Sequence, residues 1–197
     1  MHGVRPARPD DRSAVARSVA AAFAADPAWN FLLGADYDRL APLFAGTIFD
    51  SRVGTGHVWV SADLTSVAMW EPPRRDAVAP TTPGPRWDAY RAVAGEVVWR
   101  RLVDYESAVD AARPNSAYWY LGVLATDPSH QRAGGASAVL GPVLEQADAA
   151  GLACCLETST EANRAFYVRR GFTEVTTVDI PDGPPTWWLR RPPPERR

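Results

Sequence analysis

The stretch that decides the fold is DPSHQRAGGASAVLGPVL, residues 127–144. A proline and a polar run lead into adjacent glycines, Gly134 and Gly135, and an apolar series with helical spacing follows. A helix N-terminus presents free backbone N–H groups and a partial positive charge, and small residues let an anion approach them. Residues 133–138, AGGASA, carry no bulky side chain, and Arg132 adds a charged donor. The stretch therefore predicts a phosphate-binding loop that opens a helix.

The spacing of this loop excludes two common nucleotide-binding motifs. A Walker loop needs Gly-Lys-Ser/Thr, whereas all 21 basic residues of the chain are arginine. A Rossmann fingerprint needs G-x-G-x-x-G directly after a first strand, and GGASAV does not match it. What remains is Q-x-x-G-x-A, formed by Gln131, Gly134 and Ala136, between the strand-like LGVLAT and an amphipathic helix.

The segments on either side predict a mixed α/β domain. Before the loop we expect, in order, a strand at 4–7, a helix ended by Asp26-Pro27, a helix over 36–53, two strands within 56–73, a surface loop over 71–85, one helix over 87–109 and a strand over 116–126. After it we expect a buried strand, LACCLETS, a short helix ending at Gly171 and a hairpin that turns at 181–183. Residues 1–191 are predicted to form one domain, and residues 192–197 a flexible tail.

Composition narrows the class of protein. The formal net charge of −2 provides no basic field for nucleic acid, so no nucleic-acid partner is expected. No signal peptide and no apolar run long enough for a bilayer occur, which predicts a cytoplasmic protein without a membrane partner. The three histidines are isolated, so no metal site is expected. Cys154 and Cys155 are neighbours in a strand and point to opposite faces, which favours packing over a disulfide.

Two segments taken together resemble the GNAT superfamily of N-acetyltransferases, which bind acetyl-coenzyme A (acetyl-CoA). They are LGVLATDPSHQRAGGASAVLGPVLEQADAAG, residues 121–151, and CLETSTEANRAFYVRRGF, residues 155–172. Two positions depart from the usual pattern: Ala133 replaces a basic residue or glycine, and Ala136 replaces glycine. The resemblance implies a single domain with about seven mostly antiparallel strands, splayed between the fourth and fifth, and helices on both faces. It also implies a monomer or homodimer.

The resemblance assigns roles along this region. Backbone groups of Leu124, Ala125 and Thr126 would pair with the pantetheine arm. The pyrophosphate would lie on the loop made of Gln131, Arg132, Ala133, Gly134, Gly135, Ala136 and Ser137. Asn163 would approach the cofactor's arm, and Tyr167 would be the acid for the departing thiolate. Proton transfer from an unperturbed tyrosine to a thiolate is uphill by roughly 2 kcal/mol, so Tyr167 either has a lowered pKa or mainly donates a hydrogen bond.

The acceptor side of the site is predicted from isolated residues. Glu157 interrupts an otherwise buried strand, which makes it the best side-chain candidate for accepting the amine's proton. A structural hydrogen-bonding role is the alternative for Glu157, and a chain of water molecules is the alternative route for the proton. Glu71 is a weaker second candidate. Aromatic residues could wall an acceptor pocket, although core packing is their commoner role. They are Trp29, Trp70, Trp119 and Tyr120, with Trp99 and Tyr118 as further candidates.

These features favour an enzyme that moves an acetyl group from acetyl-CoA directly to a primary amine of a small molecule, with antibiotics as candidate acceptors in resistance or self-protection. Two alternatives stay open. One is the same chemistry on a protein or peptide, which would need an open groove. The other is a catalytically silent regulatory module that binds coenzyme A.

Overall fold

A computed structural model describes residues 3–73 and 84–194 of the 197-residue chain. The strands and helices are, in chain order, β1 (Val4–Pro6), α1 (Arg12–Ala22), α2 (Pro27–Leu33), α3 (Tyr37–Arg52), β2 (Val58–Ser61), β3 (Ser66–Glu71), α4 (Pro85–Ala94), α5 (Glu96–Ala112), β4 (Tyr118–Thr126), α6 (Gly135–Ala150), β5 (Ala153–Thr158), α7 (Glu161–Val168), β6 (Thr173–Val178) and β7 (Thr186–Arg191). Single 3-10 turns cover 9–11, 34–36, 53–55 and 128–130. Among the described residues, no helix is long and apolar enough to cross a membrane.

All seven strands form one sheet in the order β1-β2-β3-β4-β5-β7-β6. Every neighbouring pair is antiparallel except β4 and β5, which run parallel. The β4–β5 ladder contains only three residue pairs and ends at Tyr120 and Cys155, although β4 continues to Thr126 and β5 to Thr158. The sheet therefore opens into a split at this point. The α/β class, the mostly antiparallel sheet and the splay between the fourth and fifth strands are confirmed.

Apolar residues on the two faces of the sheet form two separate clusters. Val67 and Met69 of β3 join the helices of the N-terminal half, α1 to α5, whereas Ala68 and Trp70 pack beneath α6. This alternation follows from the two-residue period of a strand. The same period places Cys154 and Cys155 in different clusters, both as free and fully buried thiols. The packing role predicted for the cysteines is confirmed.

Three boundaries differ from the prediction. The first helix already ends at Ala22, and Asp26-Pro27 starts the additional helix α2. The helix predicted over 87–109 is divided at Gly95, whose positive φ of 83° breaks α4 from α5. Most of the predicted surface loop lies outside the described residues. The same holds for residues 195–197 of the predicted tail, and the last strand ends at Arg191.

Candidate active site

The phosphate-binding loop predicted from the sequence connects β4 to α6. Gly134 has a φ of 90°, a left-handed conformation that glycine adopts without strain, and α6 begins at the next residue. Ala138 donates its N–H to the carbonyl of Gly134, and helix geometry leaves the amides before it without helical acceptors. The loop therefore presents several backbone donors at the positive end of a 16-residue helix.

Gly135 is required for a reason that the sequence does not reveal. A Cβ atom at this position would lie 2.3 Å from the hydroxyl oxygen of Ser66 and 3.2 Å from its Cβ. Ser66 is buried at the start of β3, and its hydroxyl shares a 3.0 Å hydrogen bond with that of Thr126. The absence of a side chain thus lets α6 begin directly against β3. Gly135 serves close packing, while Gly134 serves the turn.

A cleft of about 530 Å³ brings most of the predicted cofactor-binding residues together with the predicted acid. It is lined by Leu124, Ala125, Thr126, Gln131, Arg132, Gly134, Gly135, Ala136, Ser137, Asn163 and Tyr167. Ala133 belongs to the same loop but does not line the cleft. Residues that were not predicted to belong to the site complete the lining: Ala22, Phe23, Asp26, Ala162, Phe166, Arg169 and Arg170. One continuous space therefore runs from the strand edge of β4 to α7.

Arg170 links the two helices that border the cleft. Its guanidinium lies 3.4 Å from the centroid of the Phe166 ring, donates to the Phe166 carbonyl at 2.8 Å and donates to the hydroxyl of Ser137. With Arg132 and Arg169 it makes the cleft positively charged, as an anion site requires. The two adjacent arginines shortly after Tyr167 are the sequence signal that could have predicted this positive charge. They reach the cleft because the end of α7 lies over the start of α6.

Tyr167 lies on α7, a helix capped by the hydroxyl of Thr160, which accepts the Asn163 N–H. Its ring packs edge-on against Phe166 and Phe172 and is 7% exposed. Burial raises the pKa of this phenol, and the negative charge of Glu157 raises it further. Of the two possibilities for Tyr167, the lowered pKa is therefore wrong. At neutral pH the side chain is a protonated donor.

Comparison with known proteins identifies this architecture. Residues 85–172, which include the β4 strand, the loop, α6, β5 and α7, match the acetyltransferase (GNAT) family. The matched region is a little less than half of the chain, and it contains β4, the loop before α6 and Tyr167. This match indicates an acetyl-CoA-dependent N-acetyltransferase.

Solved structures share the GNAT fold over nearly the whole chain. A Corynebacterium glutamicum structure of histone acetyltransferase HPA2 and related acetyltransferase is 22% identical with a TM-score of 0.69, covering 100% of this chain and 99% of that one. Polyamine N-acetyltransferase from Drosophila melanogaster is 14% identical with a TM-score of 0.67, covering 98% and 100%. The ribosomal-protein-S18-alanine N-acetyltransferase from Escherichia coli is 16% identical with a TM-score of 0.57, covering 100% and 97%.

Glu157 lies on the opposite face of the sheet from Tyr167. Cys155 lies two residues before Glu157 on β5 and therefore faces the same side, and it belongs to the cluster with α1 to α5. Tyr167 packs in the cluster beneath α6. The Tyr120 hydroxyl lies 2.8 Å from both carboxylate oxygens of Glu157. Burial, together with the charge of Glu106, raises the pKa of Glu157 to about 7. The carboxylate can therefore both accept and release a proton near neutral pH.

Glu71, the weaker candidate for the base, is held in an ion pair. Its Oε1 accepts a hydrogen bond of 2.6 Å from Nη2 of Arg52 on α3. The guanidinium of Arg52 in turn lies against Gly122, where a Cβ atom would come within 2.6 Å of it. Because of the register shift between β3 and β4, Gly122 is paired with no residue of β3. The pair ties α3 to the sheet beside the split.

Asp26 is a cleft residue that the sequence analysis interpreted only as a helix stop. Its Oδ1 accepts the Trp29 N–H at 3.0 Å, which caps α2. Its carboxylate also lines the cleft, and its negative charge contributes to the raised pKa values of Tyr105 and Tyr167. The pKa of Asp26 itself is raised by burial. The split thus has a second carboxylate, positioned by the start of α2.

The four predicted aromatic residues do not form one wall. Tyr120 lies beside the split and stacks on Trp188 with ring centroids 6.0 Å apart. Trp29 lies on the same face, between Phe23 and Phe44. Trp70 and Trp119 instead belong to the cluster beneath α6, with 0% and 4% exposure. Strand alternation explains this, since neighbouring residues of β4 face opposite sides.

Proposed function

We propose that this acetyltransferase moves the acetyl group directly to the primary amine of a small molecule. The observation that carries the proposal is the single cleft shared by the end of β4, the loop before α6 and Tyr167. Small residues at the mouth of α6 and three cleft arginines suit a pyrophosphate, and the unpaired edge of β4 beyond Tyr120 suits an extended amide-containing arm. These features support binding of acetyl-CoA through residues 124–126 and 131–137, with Asn163 beside the arm.

The chemistry requires one bond to form and one to break. The amine nitrogen attacks the thioester carbon, the carbon–sulfur bond breaks, and the thiolate leaves. Tyr167 donates a hydrogen bond to the departing sulfur, because its raised pKa keeps the phenol protonated and makes complete proton transfer unfavourable. A backbone N–H near Leu124 binds the thioester oxygen as negative charge develops there.

Glu157 receives the proton that the acceptor's ammonium group loses before its nitrogen attacks. With a pKa of about 7, it is half ionised at neutral pH and matched to proton transfer there. An ammonium of pKa ~9 is about 1% neutral at pH 7, so a base is worth at most about 10²-fold. Asp26 attracts the cationic amine to the same split. Both cysteines are buried with pKa values raised to about 12 by burial, which supports direct transfer over an acyl-cysteine.

For the acceptor we propose an amino-antibiotic or aminonucleoside. The segments GHVWVSAD, LETS and PDGPPTW, in this order, resemble puromycin N-acetyltransferase, and this resemblance supports the proposal. Tyr120 and Trp29 lie on the face that carries Glu157, and both rings are packed in the core there. The fold neighbours include enzymes for a polyamine and for a ribosomal protein, so the fold alone does not choose between acceptor classes.

The test is a thiol-release screen with acetyl-CoA over puromycin, aminoglycosides, polyamines and peptides with free N-termini. Turnover confined to the first two groups would support the antibiotic acceptor. Turnover confined to peptides would replace it with the protein-directed alternative.

Replacing Tyr167 by phenylalanine separates an enzyme from a silent coenzyme A-binding module. The Tyr167→Phe chain should retain its thermal stabilisation by coenzyme A, because the ring packing is preserved, and lose about 10²-fold or more in turnover. Unchanged turnover would contradict the role of Tyr167 as acid.

A further inference from the structure

A chain of contacts connects α5 to the carboxylate of Glu157. Glu106 of α5 lies 3.9 Å from Arg113, measured from its Oε2 to Nη2. The Arg113 guanidinium lies 4.6 Å from the centroid of the Tyr120 ring, and the Tyr120 hydroxyl lies 2.8 Å from both oxygens of Glu157. Neither Glu106 nor Arg113 belongs to the motifs of the cofactor loop.

We propose that Glu106 and Arg113 are positioning residues that act through Tyr120 and set the pH range over which Glu157 exchanges its proton. The proposal rests on the proposed function, in which Glu157 is the base. Glu106 and Arg113 influence Glu157 in opposite directions, because a nearby negative charge disfavours its ionised form and a positive charge favours it.

The geometry explains why Glu106 is not simply neutralised by Arg113. Arg113 already has a closer partner, since its Nε lies 2.9 Å from Oδ1 of Asp110. The Glu106 side chain remains 48% exposed, yet burial raises its pKa. Among the described residues, Glu106 therefore has no counterion closer than Arg113.

Other groups around Glu157 do not replace this pair. Tyr105 and Tyr167 both have pKa values raised by burial and then by Glu157, so they are uncharged at neutral pH. Asp26 influences these two phenols. Arg52 and Glu71 form their own ion pair and influence Glu106 with opposite signs. Glu106 and Arg113 therefore provide the charges that influence the ionisation of Glu157.

The experiment is a carbon-13 NMR titration of the full chain labelled at glutamate side-chain carboxyls. The signal lost in the Glu157→Gln chain identifies Glu157. In Glu106→Gln the midpoint of that signal should fall by about half a pH unit or more, and in Arg113→Gln it should rise by a similar amount. Arg113→Lys, which retains the charge, should move it less than Arg113→Gln does.

Glu96→Gln is the matched control, because it removes a glutamate from the same helix, about 15 Å along α5 from Glu106. Glu96 pairs with Arg91 on the surface. The midpoint of the Glu157 signal in Glu96→Gln should equal that in the unmodified chain. Equal midpoints in Glu106→Gln and in the control, or a shift in the same direction in Glu106→Gln and Arg113→Gln, would overturn the proposal. Should Arg113→Gln fail to fold by circular dichroism, Glu106→Gln against Glu96→Gln decides.

The titration needs no substrate, so its outcome is independent of the proposed chemistry. Full turnover in Glu157→Gln would reject Glu157 as the base. The titration would still show whether Glu106 and Arg113 influence the ionisation of Glu157. Unmoved midpoints with lost turnover in Glu157→Gln would reject the positioning role and retain the base.

Discussion

Replacing Gly135 by alanine should damage the protein although alanine favours helices. The new Cβ would lie 2.3 Å from the Ser66 hydroxyl oxygen. The hydroxyl would have to rotate and lose its hydrogen bond to Thr126, which costs about 1 kcal/mol. The remaining 3.2 Å contact with the Cβ of Ser66 adds about 1 kcal/mol of overpacking. For a chain of this size, a loss of about 2 kcal/mol lowers Tm by about 4–8 °C.

Gly141 of the same helix provides the matched control. A Cβ there would meet nothing within 4 Å apart from its chain neighbours, so Gly141→Ala should change stability by no more than about 0.5 kcal/mol, because the gain in helix propensity is opposed by the strain of a helical residue before Pro142. Thermal unfolding followed by circular dichroism compares the two variants. Calorimetry with coenzyme A should show weakened binding only in Gly135→Ala, because only that residue begins α6 at the cleft.

A double-mutant cycle tests the cause. Ser66→Ala removes the atom at 2.3 Å, so Ser66→Ala/Gly135→Ala should be more stable than the sum of the single changes predicts, by about 1 kcal/mol. Additive effects, or a Gly135→Ala chain as stable as Gly141→Ala, would refute the close-packing argument.

Two further predictions concern the carboxylates of the acceptor side. The pKa of Glu157 rises from its usual 4.5 to about 7 on folding, so its contribution to stability is complete below pH 4.5 and is lost as the pH rises through 7. Glu157→Gln should therefore stabilise the chain by about 1–2 kcal/mol more at pH 8 than at pH 4.5 in denaturant titrations, and a pH-independent difference would contradict the raised pKa. Asp26→Asn keeps an N-cap residue but removes the charge, so it should raise KM for a cationic acceptor roughly tenfold without the loss of about 1 kcal/mol expected for Asp26→Ala. Equal destabilisation by both changes, or an unchanged KM in Asp26→Asn, would contradict this role.

Local patterns predicted the elements that depend on local physics. The loop before α6 was predictable because glycine and other small residues before an apolar helical series have few alternative structures. The break at Gly95 was missed because apolar spacing continues across it, and only the backbone conformation separates α4 from α5. Asp26-Pro27 was misinterpreted because the same two residues can end one helix or begin another.

The aromatic residues show how little of the acceptor pocket could be predicted from the sequence. Trp119 and Tyr120 are adjacent, and both were candidates for one pocket, yet they lie on opposite faces of β4. Composition cannot indicate which face of a strand meets which helix, because that depends on contacts with α5, α6 and β7, distant in the chain. The contacts of Glu157 with Tyr120 and, beyond it, Arg113 are of the same kind.

The sequence by itself determined the α/β class and the glycine-containing start of α6, and it predicted the candidate acid Tyr167, since each depends on residues within about one helical turn or one strand. Tertiary structure decided that Tyr167 is a protonated donor, that Glu157 titrates near pH 7 and that Gly135 must lack a side chain. Those properties arise from burial and from charges brought together across the sheet, and short-range sequence patterns carry no information about either.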